Sequence, residues 1–99
     1  MQTDRIFDAL ASPPRRGVLR RLAAAECTTS ELAAALGMSA PAVSRHLSIL
    51  ESAGLATSRR DGQRVLYALV RDTVVDALSG FAAELSADPL PSRRQRDAI

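Results

Sequence analysis

Ninety-nine residues suit one domain of ordinary size, short enough that pairing with a second copy would help to bury its apolar surface. Hydrophobic residues make up 46% of the chain and aromatic ones only 3% (Phe7, Tyr67 and Phe81), which points to a helical core of Ala, Leu and Val with little room for an enclosed substrate pocket. The 13 basic residues, all arginine, face 11 acidic ones for a net charge of +2, so a nucleic-acid surface must be read from where the arginines stand.

Thr3-Asp4 caps a first helix to Leu10, with Ile6, Phe7 and Leu10 on one face. Ala11-Ser12-Pro13-Pro14 breaks it, because a proline disfavours helical geometry in the residue before it. A second helix starts at Pro13 or Pro14 and ends near Ala25, with Val18, Leu19, Leu22 and Ala23 as its apolar stripe. Thr28 and Glu31 form a capping box, opening a helix from Glu31 to Leu36 that stops at Gly37. Ser39 caps the next helix, which runs to about Ala53 and stops at Gly54. Two helices joined by Gly37-Met38-Ser39 make a helix-turn-helix.

After Gly54 the pattern becomes extended. Leu55 to Arg59 and Gln63 to Leu69 flank Arg60-Asp61-Gly62, an Asp-Gly hairpin signal. Asp72 or Thr73 caps a last helix to about Ala87, whose Val74, Leu78, Phe81 and Leu85 step by 4, 3 and 4, a seam suited to packing on another helix. The expected domain is therefore residues 1–87, mainly α with a small β-hairpin in the order α-α-α-α-β-β-α. Residues 88–99, from Asp88-Pro89-Leu90-Pro91 through Arg93, Arg94 and Arg96, read as a disordered tail.

Helix 39–53 divides into two faces. Val43, Leu47 and Leu50 point to the core; Ala40, Pro41, Ser44, Arg45 and Ser48 form the remaining surface. Ala40-Pro41 suits a thymine methyl, Ser44 a base edge, and Arg45 either guanine or phosphate. Ser39 and the first amides suit a phosphate oxygen. In the hairpin, Arg59, Arg60 and Arg64 with Gln63 read as phosphate or minor-groove contacts. Arg15 and Arg16 stand where they could reach the DNA backbone, one of them facing solvent or an acid instead. The plainer reading of these residues, as caps and solvated charge, loses ground because they lie beside a helix-turn-helix. Ile6, Phe7 and Leu10 with Val74, Leu78, Phe81 and Leu85 read as a dimer interface, since the motif between the two terminal helices has a core of its own.

This arrangement is a winged helix. Leu10-Ala11-Ser12-Pro13-Pro14-Arg15-Arg16 before Val18-Leu19, then Glu31-Leu32-Ala33, Ser39 to Leu47 with Leu50, Ala53-Gly54-Leu55, and Arg59-Arg60-Asp61-Gly62 before Tyr67 together resemble the ArsR/SmtB family of repressors. The resemblance runs from about Ile6 to Leu85. It implies a homodimer, held by the first and last helices, on an inverted-repeat operator in double-stranded DNA. Many members of the family sense metals, and here the chain departs from them. The family's cysteine-pair positions fall on Thr28 and Ser30, with Cys27 one residue outside, and its last-helix histidine positions fall on Val74 and Leu85. Zinc or arsenic sensing needs thiolate, imidazole or carboxylate ligands in number. The expectation is a metal-independent, autorepressor-like regulator with no cofactor.

Other readings are weaker. His46 has no partner ligands, which favours a structural or phosphate role. Cys27 lacks a second cysteine to resolve an oxidised state, so redox sensing gives way to a small buried hydrophobe. One histidine, one cysteine and no paired carboxylates in a pocket-forming context argue against an enzyme. A protein-interaction module would favour aromatic anchors where this chain has serines and arginines. A small-molecule inducer stays open, with no residue identifying one. No basic-then-apolar leader or membrane-length apolar run is visible, so the chain reads as cytoplasmic.

Overall fold

The computed structural model describes residues 2–86, with side chains from residue 3. The expected tail at 88–99 lies outside the described residues. Five helices and one antiparallel hairpin follow in the expected order: α1 Gln2–Leu10, α2 Pro13–Ala24, α3 Thr29–Leu36, α4 Ala40–Ser52, β1 Ala56–Asp61, β2 Arg64–Leu69 and α5 Arg71–Leu85.

Local chemistry sets most of the boundaries. Ser12 Oγ accepts the Arg15 amide at 3.3 Å and prolines fill the first turn of α2. Thr28 Oγ1 accepts the Glu31 amide at 3.1 Å while Glu31 Oε1 accepts the Thr28 amide at 2.8 Å, a reciprocal box at the start of α3. Gly37 ends α3 at φ 64°, a left-handed conformation that costs glycine nothing. Ser39 Oγ then accepts the Ala42 amide at 3.2 Å and starts α4.

Several boundaries differ from expectation: α1 starts at Gln2, so that Thr3-Asp4 lie inside it, and α3 starts at Thr29 and not at Glu31. The hairpin turn is Gly62-Gln63 and not Asp61-Gly62, because Asp61 already pairs with Arg64 in the ladder. Gly62 alone of the two takes a positive φ, the pattern of a type II′ turn with glycine first. The last helix starts at Arg71 with Val70 as its cap and no capping side chain, so neither Asp72 nor Thr73 plays that part. Val70 is held by its amide on Leu55 O at 2.9 Å, and the chain passes from β2 into α5 with no room for a separate cap.

The core collects around α4. Val43, Leu47 and Leu50 pack with Val18, Leu19 and Leu22 of α2, Leu32 of α3, and Ala53, Leu55 and Ala56 beyond. Each fully buried leucine stabilises the fold by roughly 1.5–3 kcal/mol. Ile6 belongs here too. At 5% exposed it lies in the chain's own core with Ala9, which corrects its placement at a dimer interface. A bridge between Cys27 and Tyr67, with amide-to-carbonyl distances of 3.1 and 2.8 Å, ties the α2–α3 connection to the hairpin.

Candidate nucleic-acid interface

The buried side of α4 leaves one outward face. Ser39, Ala40, Pro41, Ser44, Arg45 and Ser48 are all exposed, at the positions the two-faced pattern requires. Ser44 and Ser48 are one helical turn apart, with Arg45 beside them, so three polar side chains project from a helix held from behind by the core. Such a helix fits the major groove of B-DNA.

The wing arginines are not equivalent. Arg59 is engaged by Glu26, Nε donating to Oε2 at 3.1 Å and Nη2 to Oε1 at 2.7 Å. That hydrogen bond holds the Glu26 carboxyl below its ordinary pKa. Arg64 Nη2 stands 3.8 Å from Glu31 Oε1, and Arg64 also lines an open cleft of about 360 Å³ with Thr28, Thr29, Ser30, Gln63 and Val65. Glu31 itself sits below its ordinary pKa, chiefly because the Thr28 amide donates to it. Arg60 pairs across the ladder with Val65, on the face opposite Arg59 and Arg64, and has no polar partner among the described residues. Gln63 is exposed at the turn.

Arg15 and Arg16 both donate to the end of α1, Arg15 part-buried and Arg16 exposed. Arg15 Nε donates to Ala9 O at 2.9 Å and Nη2 to Asp8 O at 3.2 Å; Arg16 Nη1 donates to Leu10 O at 2.8 Å. These carbonyls close the last turn of α1, which carries no basic residue there, so α2 supplies the donors and the positive charge that this helix end lacks. Neither arginine meets an acid; Arg16 stays exposed to solvent, one of the two alternatives expected, and Arg15 is held within the protein. Sequence could not show this, since it depends on how α1 folds back on α2.

The profile described as "Bacterial regulatory protein, arsR family" matches residues 12–58. Over 90 residues the chain is 41% identical to the HTH-type transcriptional regulator KmtR of Mycobacterium tuberculosis, covering 87% of this chain and 68% of that protein. The chain belongs to the ArsR family. It is therefore a DNA-binding transcriptional regulator and not an enzyme. It is also 31% identical to the transcriptional repressor SdpR of Bacillus subtilis, over 75% of this chain and 82% of that one. The homodimeric winged helix-turn-helix DNA-binding domain Mb0332 of Mycobacterium bovis superposes with a TM-score of 0.71 at 32% identity, covering 91% of this chain and 87% of that domain.

Within this ArsR-family fold, α5 carries no buried residue. Val75, Leu78, Phe81 (46% exposed) and Leu85 (66%) leave an apolar stripe open to solvent. Of the residues expected at a dimer interface, Leu78, Phe81 and Leu85 stand on that stripe. Phe7 is half-buried and packs edge-to-face on Phe81, 5.4 Å between centroids at 63°. Leu10 and Val74 are part-buried and lean on the chain's own core. The sequence reading missed Val75, though its offset of three from Leu78 was the available signal.

The Cys27 Sγ donates to Ala25 O at 3.4 Å, and burial followed by the Glu31 carboxylate pushes its thiol above the ordinary value. Among the described residues no three His, Cys, Asp or Glu side chains gather where a metal could be held, and no helix is long and apolar enough to cross a membrane.

Proposed function

We propose that this regulator works as a homodimeric repressor on an inverted-repeat operator, without sensing a metal. The observation that carries the reading is the two-faced α4: core leucines behind, and Ser44, Arg45 and Ser48 projecting together in front. Arg45 reads guanine, Ala40 and Pro41 meet apolar base edges, and Ser39 with the first amides of α4 holds a phosphate. Arg60 contacts the backbone beside the groove, with Gln63 and Arg64 near it and Arg16 at the flank. The exposed α5 stripe with Phe7 and Phe81 pairs with its copy in a second chain; the homodimeric Mycobacterium bovis domain supports this pairing.

Thr28 and Ser30 at the cysteine-pair positions, and Val74 and Leu85 at the histidine positions, support metal independence. Repression follows the SdpR likeness and the simple physics of a bound dimer blocking polymerase. As a bacterial-type DNA-bound regulator it works in the cytoplasm. Cys27, held protonated, offers little thiolate for redox sensing.

The test is selection of genomic fragments by the purified protein, with its own promoter as probe, with and without Zn²⁺, a chelator and an oxidant. Enrichment of one inverted repeat regardless of additive is the expected result. Release by metal or oxidant would overturn the metal-independent reading. No enrichment at low salt would mean that the winged helix serves protein partners.

A further inference from the structure

Arg15 stands where three helices meet. Its guanidinium gives Nε and Nη2 to the Ala9 and Asp8 carbonyls of α1, and turns Nη1 to His46 Nδ1 of α4 at 3.4 Å. Because a guanidinium only donates, Nδ1 must accept, which puts the ring proton on Nε2. His46 is the neighbour of Arg45 on the reading helix. At the other end of the joint, α1 carries Phe7, whose ring meets Phe81 on the exposed α5 stripe. A continuous path therefore runs from the α5 stripe through one turn of α1 and one planar fork into α4. A rigid fork with three acceptors fixes an angle as well as a distance.

We propose that Arg15 and His46 are positioning residues for DNA recognition: their joint sets the angle of α4 against the α1–α5 dimer face, and thereby the separation of the two reading helices on the operator. The inference rests on the homodimeric reading above. Two half-sites lie about 34–36 Å apart, so a small rotation within each subunit shifts both helices against a fixed spacing. Recognition of this kind needs its groups held within roughly 0.5 Å and 10–20°.

The joint exists only while His46 is neutral, since protonation turns Nδ1 into a donor and sets cation against cation. Burial first, then the Arg15 and Arg45 charges, hold the pKa of His46 below its ordinary value. Arg15 faces it from α2 and Arg45 from its own helix, while α1 presents carbonyls held by Arg15 and carries Asp8. The charged residues of α3 and β1, the other elements packed on α4, contribute nothing that moves His46. The ring is thus neutral at neutral pH, and the joint opens as pH falls below the ordinary histidine range.

The full-length protein is titrated with its inverted repeat, with repeats whose spacing is lengthened or shortened by a base pair or two, and with a single half-site. Measurements are made at about pH 8 and about pH 5.5, on either side of histidine titration, with a thermal melt of each variant. At the higher pH His46→Leu should lose roughly tenfold in preference for the correct spacing, with half-site affinity kept. His46→Asn, whose Oδ1 can accept in place of Nδ1, should hold the preference at both pH values while the wild type loses it at the lower one. A wild-type spacing preference that His46→Leu retains overturns the inference alone. Should His46→Leu fail to fold, the pH profiles decide, and identical profiles for wild type and His46→Asn overturn it. A wild type indifferent to spacing overturns the dimeric reading and this inference with it.

Discussion

Helices α4 and α5 are near equals in length, 13 and 15 residues, and each carries an apolar row at helical spacing. Their fates differ. In α4 the row of Val43, Leu47 and Leu50 is closed off by α1, α2, α3 and β1. What remains on its front is serine, arginine and proline, with Ile49 exposed to one side beside Arg5 and Asp8. In α5 Val74 leans on the core, and the rest of the row is left open, with Val75, Leu78, Phe81 and Leu85 outside. The same periodicity thus yields a surface that suits a polar, charged ligand in one case and a surface that wants another apolar face in the other. An apolar row by itself says that burial is needed, and the rest of the fold decides whether the same chain provides it.

The largest test of this contrast is in α4. Leu47→Ala should destabilise the fold by about 2–5 kcal/mol in denaturant titration, since the residue is closed in on every side. Phe81→Ala should leave the fold of each subunit largely intact and weaken self-association by about 2 kcal/mol, visible as monomer in sedimentation at low concentration. If Phe81→Ala lowers stability with no change in association, the open row belongs to the single chain and the contrast fails.

Smaller effects probe the polar side. Arg45→Ala should cost about 1–3 kcal/mol of discrimination at one base position. Arg60→Ala should weaken operator and random DNA alike, and equal losses on both DNAs for Arg45→Ala would move that residue to the phosphate class. Arg59→Ala should weaken binding less than Arg60→Ala, because Glu26 already occupies its guanidinium. The reverse order in gel shifts would show that Arg59 leaves its carboxylate to reach DNA.

What could be read in advance was local. Thr28 with Glu31, Ser39, Gly37 and Gly54 each carry the chemistry of a helix end within a few residues of themselves, and they marked α3 and α4 closely. The two-faced α4 followed from spacing alone. The hairpin was recognisable, but the Asp-Gly signal misplaced its turn by one residue, because the pairing of Asp61 with Arg64 is set by the whole ladder. The α5 start misled because β2 feeds straight into the helix and Val70 is anchored through its backbone on Leu55. Ile6 shows the other limit: α1 plainly has one apolar face, yet nothing in the sequence says that Ile6 and Ala9 meet the chain's own core while Phe7 reaches Phe81. The arginines were hardest of all. Arg15, Arg16 and Arg59 look like Arg60 in sequence, and only the folded chain brings them carbonyls and a carboxylate.

The Arg59–Glu26 pair has a consequence for the thermodynamics of association. DNA wears a sheath of condensed cations, and each guanidinium that takes a phosphate frees about 0.9 of one, which sets how steeply affinity falls with added salt. A guanidinium that keeps its own carboxylate frees none. The wing therefore carries more arginines than the number it will register in a plot of log affinity against log salt, and Glu26→Gln should steepen that slope by up to about 0.9 as Arg59 comes free. Glu26 acts as a built-in counter-ion, one that travels with the protein and lessens its grip on DNA of any sequence.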